Sequence, residues 1–141
     1  MRLSPAMKHA SALVLLSFLI CAACSVTTVP LRNIDNANIS GYGSKKPTLE
    51  EVQAALSRAA EIRGWTIEDI SPGHAIGRIL VRGKHSVTID ITYTTETMSM
   101  TYVDSSNMDF RSDSDGEVIH LKYNAWINNL LSTLRKQLAQ M

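Results

Sequence analysis

The chain has 141 residues, enough for a single domain, and a formal net charge of +1 at pH 7. Its 14 Lys and Arg residues are balanced by 13 Asp and Glu, and no long basic run occurs, so the charge pattern excludes a typical nucleic-acid-binding surface. The only cysteines, Cys21 and Cys24, lie near the N-terminus, so we expect no disulfide in the remainder.

Residues 1–23 have the composition of a secretory signal peptide. Arg2 and Lys8 form a basic beginning, and a run of 14 weakly polar residues follows over positions 10–23. A membrane-spanning helix needs roughly 20 such residues, so the run is too short for a span and is typical of a signal peptide.

The signal-like run ends in Cys21-Ala22-Ala23-Cys24. This sequence resembles the lipobox of bacterial lipoproteins, in which signal peptidase II cuts before the cysteine and its thiol takes a diacylglycerol. The resemblance implies a lipidated Cys24, although Cys21 stands where the pattern usually has Leu. The alternatives are an ordinary secretory signal cleaved nearby, or an uncleaved anchor.

Residues 24–47 are predicted to be the lipidated cysteine followed by a flexible tether. The segment is rich in Ser, Thr, Asn, Gly and Pro, and its apolar residues show no helical period. A flexible chain of this length would reach roughly 25 Å from the membrane. A second interpretation makes Val26–Val29 an edge strand that Pro30 ends.

Residues 48–141 are predicted to form one α+β domain that begins with a helix over residues 49–63. Thr48 and Glu51 make a capping box, and Gly64 is a suitable residue for the end of the helix. Apolar residues between them recur at steps of three and four, which is the spacing of an amphipathic helix.

Four strands are predicted next, over residues 65–70, 74–82, 85–93 and 97–102. The third alternates clearly, with Val87, Ile89, Ile91 and Tyr93 on one face, and the fourth continues that face with Met98, Met100 and Tyr102. The opposite face is hydroxyl-rich and expected to be wet. Its members are Ser86, Thr88, Asp90, Thr92, Thr97, Ser99 and Thr101.

A polar loop is predicted over residues 104–117, followed by a final helix with an apolar stripe from Ile119 to Leu138. The predicted fold is therefore two-layered α+β. A four-stranded antiparallel meander would have an N-terminal and a C-terminal helix packed on its one apolar face.

The histidines and methionines are the residue types here that could bind a metal ion. His74, His85 and His120 lack metal-ligand spacing and are interpreted as surface or boundary residues. Met98 and Met100, with Met108 or a histidine, would suit Cu(I), but their period-two spacing is also what a buried sheet face requires, and we predict the core position. The loop 104–116 matches a calcium motif only weakly. No cofactor is expected.

No catalytic motif is found, so an enzyme is not predicted. The runs Tyr102–Asn107 and Tyr123-Asn124-Ala125-Trp126 resemble small envelope lipoproteins of Gram-negative bacteria that have no assigned activity. The resemblance implies an α+β envelope domain. We expect Trp126 to anchor the last helix on the sheet, and Asn124 to cap or pin the adjacent loop.

The sequence therefore predicts a lipid-anchored, non-catalytic binding or envelope-assembly module. The expected partners are the lipid bilayer and an envelope protein that contacts the wet sheet face or a sheet edge, and no nucleic acid is expected. Because Ser25 follows the lipidated cysteine, we expect the protein to be attached to the outer membrane and to face the periplasm. The alternative locations are the inner membrane and the cell surface. The alternative function is a carrier of a small ligand or of copper that uses Met98, Met100 and a histidine.

Overall fold

A computed structural model describes residues 27–141; the predicted signal peptide and Cys24 lie outside the described residues. The chain forms two antiparallel sheets and two helices. The elements in chain order are β1 (Thr28–Pro30), β2 (Ile34–Asn38), α1 (Leu49–Arg63), β3 (Trp65–Ser71), β4 (His74–Val81), β5 (His85–Tyr93), β6 (Thr97–Ser106), β7 (Arg111–Asp113), β8 (Gly116–His120) and α2 (Lys122–Leu138).

The larger sheet has five strands in the order β2-β6-β5-β4-β3. The four predicted strands are present as neighbours β3 to β6, and the α+β class is confirmed. The prediction of a four-stranded meander is wrong in its count, because β2 adds a fifth strand along β6.

The predicted register of β5 is confirmed. Val87, Ile89 and Ile91 are fully buried, whereas Thr88 and Asp90 between them are only half-buried. The buried residues of α1 and α2 belong to the same core as this face, so both helices lie on one side of the sheet. On the inner side of β4, a Cβ at Gly77 would lie 3.4 Å from the buried indole of Trp65, so the glycine leaves room for that ring.

Helix α1 begins and ends where its sequence predicts. The Thr48 side chain accepts from the backbone N–H of Glu51, and the Glu51 carboxylate accepts from the backbone N–H of Thr48. The hydrogen bond from Lys45, and then that from the Thr48 backbone N–H, hold the pKa of the Glu51 carboxyl below its usual value. Gly64 ends the helix in the left-handed region at φ 77°, where glycine carries no steric penalty.

A second sheet of order β1-β8-β7 replaces most of the predicted polar loop. Residues 104–106 belong to β6, and β7 and β8 form a hairpin. The loop prediction over 104–117 is therefore wrong, since polar composition does not prevent a short exposed hairpin. Ile119 is buried but lies in β8, so α2 begins three residues later, at Lys122.

The predicted tether is also wrong within the described residues. Strand β1 pairs with β8, Thr28 opposite His120, and β2 pairs with β6, Ile34 opposite Met100. Ile39 follows β2 and is 1% exposed, so this segment completes the core. The edge-strand interpretation of residues 26–29 was nearer, although the observed strand is Thr28–Pro30 and residue 26 lies outside the described residues.

Side chains fasten the same segment from the other side. Asn124 Oδ1 accepts from the backbone N–H of Arg32 at 3.1 Å, and Asn124 Nδ2 donates to the carbonyl of Pro30 at 3.0 Å. Asn33 Oδ1 accepts from the backbone N–H of Tyr102 at 2.9 Å. Asn124 lies in the first turn of α2, and its side chain therefore holds the segment 30–32, which is distant in sequence.

A bulge in β6 changes which of its residues face the core. Tyr102 pairs with Ile89, but the next pair is Asp104 with Thr88, so Val103 is an extra residue and is 52% exposed. Ser105 then faces inward, where its hydroxyl lies 2.8 Å from the Tyr102 hydroxyl.

Among residues 27–141, no helix has the length and apolar character of a membrane span.

Removal of residues 1–47, the predicted signal and tether, should destabilise the protein strongly. The chain 48–141 lacks β1, β2 and Ile39, and the loss of one fully buried Ile alone typically costs about 2–5 kcal/mol. We expect the chain 25–141, as the matched control, to unfold cooperatively in urea and 48–141 to be at least about 3 kcal/mol less stable. Equal unfolding free energies would show that residues 28–39 are a tether after all.

Candidate functional site

A cleft of about 310 Å³ lies where the β4–β5 turn, the turn after β6, the end of β8 and the start of α2 meet. Its lining combines four basic side chains with three that are largely apolar. They are Arg82, His85, His120 and Lys122, and Val81, Met108 and Trp126. No acidic side chain among residues 27–141 belongs to this lining.

Arg82 is placed by an unusual turn. Arg82 and Gly83 have φ values of 54° and 69°, and the backbone N–H of Lys84 donates to the carbonyl of Val81 at 3.2 Å. Two consecutive positive φ values are the pattern of a type I′ hairpin turn, which usually takes Asn or Gly at its first central position. An Arg in this conformation costs about 1 kcal/mol or more.

His85 and Met108 are held by the turn that follows β6. His85 Nδ1 donates to the carbonyl of Asn107 at 2.8 Å, and Asn107 Nδ2 donates to the carbonyl of Lys84 at 2.7 Å. Asn107 and Asp109 both have positive φ, a conformation that these side-chain types tolerate. Met108 between them is 2% exposed and forms part of the apolar wall.

His120 connects the same turn to α2. Its backbone N–H donates to the carbonyl of Met108 at 2.7 Å. Its Nδ1 accepts from the backbone N–H of Lys122 at 3.2 Å, which caps the first residue of α2. An accepting Nδ1 requires the proton of the neutral ring to be on Nε2, so His120 presents a donor rather than a lone pair at that atom.

The lining suits an anion better than a metal ion. Arg82 and Lys122 form no ion pair within residues 27–141, and the first turn of α2 contains no acidic side chain. A lysine at the positive end of a helix is unfavourable by about 0.3–1 kcal/mol, which a bound anion would offset. In the same part of the chain, no group of three or more His, Cys, Asp or Glu could hold a metal ion.

A smaller groove of about 200 Å³ shares part of its wall with the cleft, and Arg63 and Asn129 line it together with four apolar side chains. It shares Val81 and Trp126 with the cleft, and Trp65 and Ile79 add further apolar wall. Arg63 borders it and donates from Nε to the Thr133 hydroxyl at 2.7 Å. The two depressions together have a cationic part and an apolar part.

The two methionines considered for copper lie in the core. Met98 and Met100 are fully buried, and neither lines the cleft. His74 lies 2.6 Å from Asp90, on the outer face of the sheet, opposite to the methionines. His85 and His120, whose approach the sequence did not predict, share the cleft with Met108 instead.

The predicted hydroxyl-rich face carries charges that largely satisfy one another. His74 pairs with Asp90 across β4 and β5, and Arg78 pairs with Glu68 across β3 and β4. Thr92 and Thr101 are exposed on this face. Because Arg78 is already paired and Asp104, opposite Thr88, adds a negative charge, this face offers an anionic ligand less than the cleft does.

Trp126 packs against the core as expected, and part of its side chain also faces the two depressions. It is partly buried, as predicted for an anchor, and it lines both the cleft and the groove.

Tyr123, one turn before Ile127, is fully buried, and burial raises the pKa of its phenol above the ordinary value. The hydroxyl of Tyr123 therefore stays protonated and donates to Asn33 Oδ1 at 3.4 Å.

The chain matches no protein-family model, no curated protein and no solved structure.

The core position of the methionines predicts mild effects of substitution. Met98→Leu and Met100→Leu conserve volume and should each cost less than about 1.5 kcal/mol in urea unfolding, whereas Met98→Ala should cost about 2–5 kcal/mol. In a competitive chelator titration, we expect the unsubstituted protein to take up no Cu(I). Stoichiometric uptake that the double Leu variant loses would contradict the core assignment.

Proposed function

We propose that this chain is a lipid-anchored, non-catalytic lipoprotein of the bacterial envelope that acts as a binding module, with the cleft as its contact site. The anchor would be the acylated Cys24. The residue after it, Ser25, favours attachment to the outer membrane, with the domain facing the periplasm.

The observation that carries the proposal is the short distance between the candidate lipid site and the folded domain. The carbonyl of Thr27 accepts from the backbone N–H of Leu121 at 2.9 Å, so the described chain is fixed from its first residue. Three residue steps separate Cys24 from Thr27, and an extended chain covers at most about 11 Å in three steps. An acyl group on Cys24 would hold the domain at the membrane surface.

The unpaired cations of the cleft support binding rather than catalysis. Arg82, Lys122 and the Nε2–H of His120 are all donors, and no carboxylate in the lining is available as a general acid or base. Such a set recognises negative charge, and the lining that residues 27–141 provide contains no hydroxyl or thiol that a histidine could activate as a nucleophile. The copper-carrier alternative has lost the support of Met98 and Met100, which are buried.

Metabolic labelling with radioactive palmitate tests the anchor. In a Gram-negative host the full chain should incorporate the label, and Cys24→Ala should abolish incorporation. Separation of inner and outer membranes on a density gradient should place the labelled protein in the outer-membrane fraction.

Cys21→Leu is the matched control, because it changes the other cysteine toward the usual lipobox residue and should keep the label. An unlabelled full chain, or a label that persists in Cys24→Ala, would refute the anchor.

A further inference from the structure

We propose that the cleft binds the phosphate group of an anionic membrane-lipid headgroup, at the leaflet to which the protein is anchored. This inference rests on the proposed function, because the anchor supplies the closeness to lipid. The shared chemistry is a phosphate ester, and a soluble phosphate is the competing source of it.

The cleft has the donors that a phosphate needs. Arg82 contributes a guanidinium and Lys122 an ammonium, and both groups bind phosphate oxygens through charge-assisted hydrogen bonds. His120 adds an Nε2–H whose tautomer is fixed by the hydrogen bond to α2. The nearest acidic residue in sequence is Asp109, which adjoins Met108 but is outside the lining.

A cationic cleft accepts any small anion, so the apolar side chains of the neighbouring groove decide the class of ligand. Trp126 and Val81 belong to both depressions, so a molecule bound through its phosphate has an apolar wall directly beside it. Inorganic phosphate would leave that wall in contact with water. A lipid headgroup, with its glycerol and the start of its chains, would cover it.

The short length of chain between Cys24 and the cleft also favours a lipid headgroup as the source of the phosphate. Thr28 pairs with His120, which lines the cleft, and four residue steps separate Cys24 from Thr28. Four extended steps cover about 14 Å and the strand pair adds about 5 Å, so the cleft wall lies within about 20 Å of the acylated residue. The opposite end of α2, at Leu138, lies about 25 Å further along that helix.

The test is co-sedimentation of residues 25–141 with phosphatidylcholine vesicles, prepared with and without phosphatidylglycerol. This chain keeps every described element and carries no acyl group, so binding reports the cleft and not the anchor. We expect binding only when phosphatidylglycerol is present. Soluble glycerol 3-phosphate, titrated against the protein without vesicles and followed by NMR shifts of His85 and His120, is the second arm.

The double variant Arg82→Asn, Lys122→Gln removes both cations; Asn also tolerates the left-handed φ of position 82. Each cation near an anionic surface contributes about 1 kcal/mol, so we expect binding to fall roughly thirty-fold. The matched control is Arg58→Gln, Lys136→Gln, which makes the same charge change near the other end of α2, where Arg58 contacts Gln137. The control should lose less than about three-fold, with thermal unfolding confirming that both variants fold.

Three outcomes would overturn the proposal. Equal losses in the two double variants would assign binding to total charge and not to the cleft. Binding of glycerol 3-phosphate without any binding to vesicles would make the ligand a soluble phosphate. Absence of both would leave the cleft without a phosphate ligand. None of these outcomes affects palmitate labelling of the full chain, so failure of this inference is distinguishable from failure of the anchor.

Discussion

Residues 27–39 hydrogen-bond to two different sheets, along β8 and along the edge of β6, and the rest of the structure depends on this double attachment. Without β2, the edge of β6 at Met98 and Met100 would have no partner strand. Ile39 would also be lost from the core. Without β1, the hairpin of β7 and β8 would consist of two short exposed strands, which are marginal in water. The segment thus joins the small sheet to the large one.

Local backbone preferences are broken mainly around the cleft. Of the four non-glycine residues with positive φ in the described chain, Arg82 lines the cleft, and Asn107 and Asp109 flank the lining residue Met108. Lys122 adds a cation at the positive end of a helix. Proteins retain such costs where surrounding contacts impose them, often at binding sites. Here His85 and His120 hold the turn around Met108 by hydrogen bonds, and the bond from Lys84 to Val81 closes the turn at Arg82.

The sequence predicted what depends on local pattern and missed what depends on distant pairing. Helix α1 and strands β3 to β5 follow from caps, turns and alternation, and the alternation also placed Met98 in the core. Strand β2 was missed because Asp35 and Asn36 interrupt any alternation, and its partner β6 lies about sixty residues away. The cleft was missed because four separate segments supply it. The Arg82-Gly83 turn was its one local signal, since Arg is a poor residue for that conformation.

The affinity that such a cleft must supply is small once the chain is anchored. A dissociation constant of 1 mM corresponds to only about 4 kcal/mol, and a short linker raises the effective concentration of neighbouring groups to the millimolar range. Headgroups within reach of Cys24 would therefore occupy even a weak site. Two cations and one imidazole N–H are enough for that, whereas a free phosphate in solution would need a more enclosed site. On the proposed anchoring, the acyl group provides attachment, and Arg82 and Lys122 determine which end of the domain faces the leaflet.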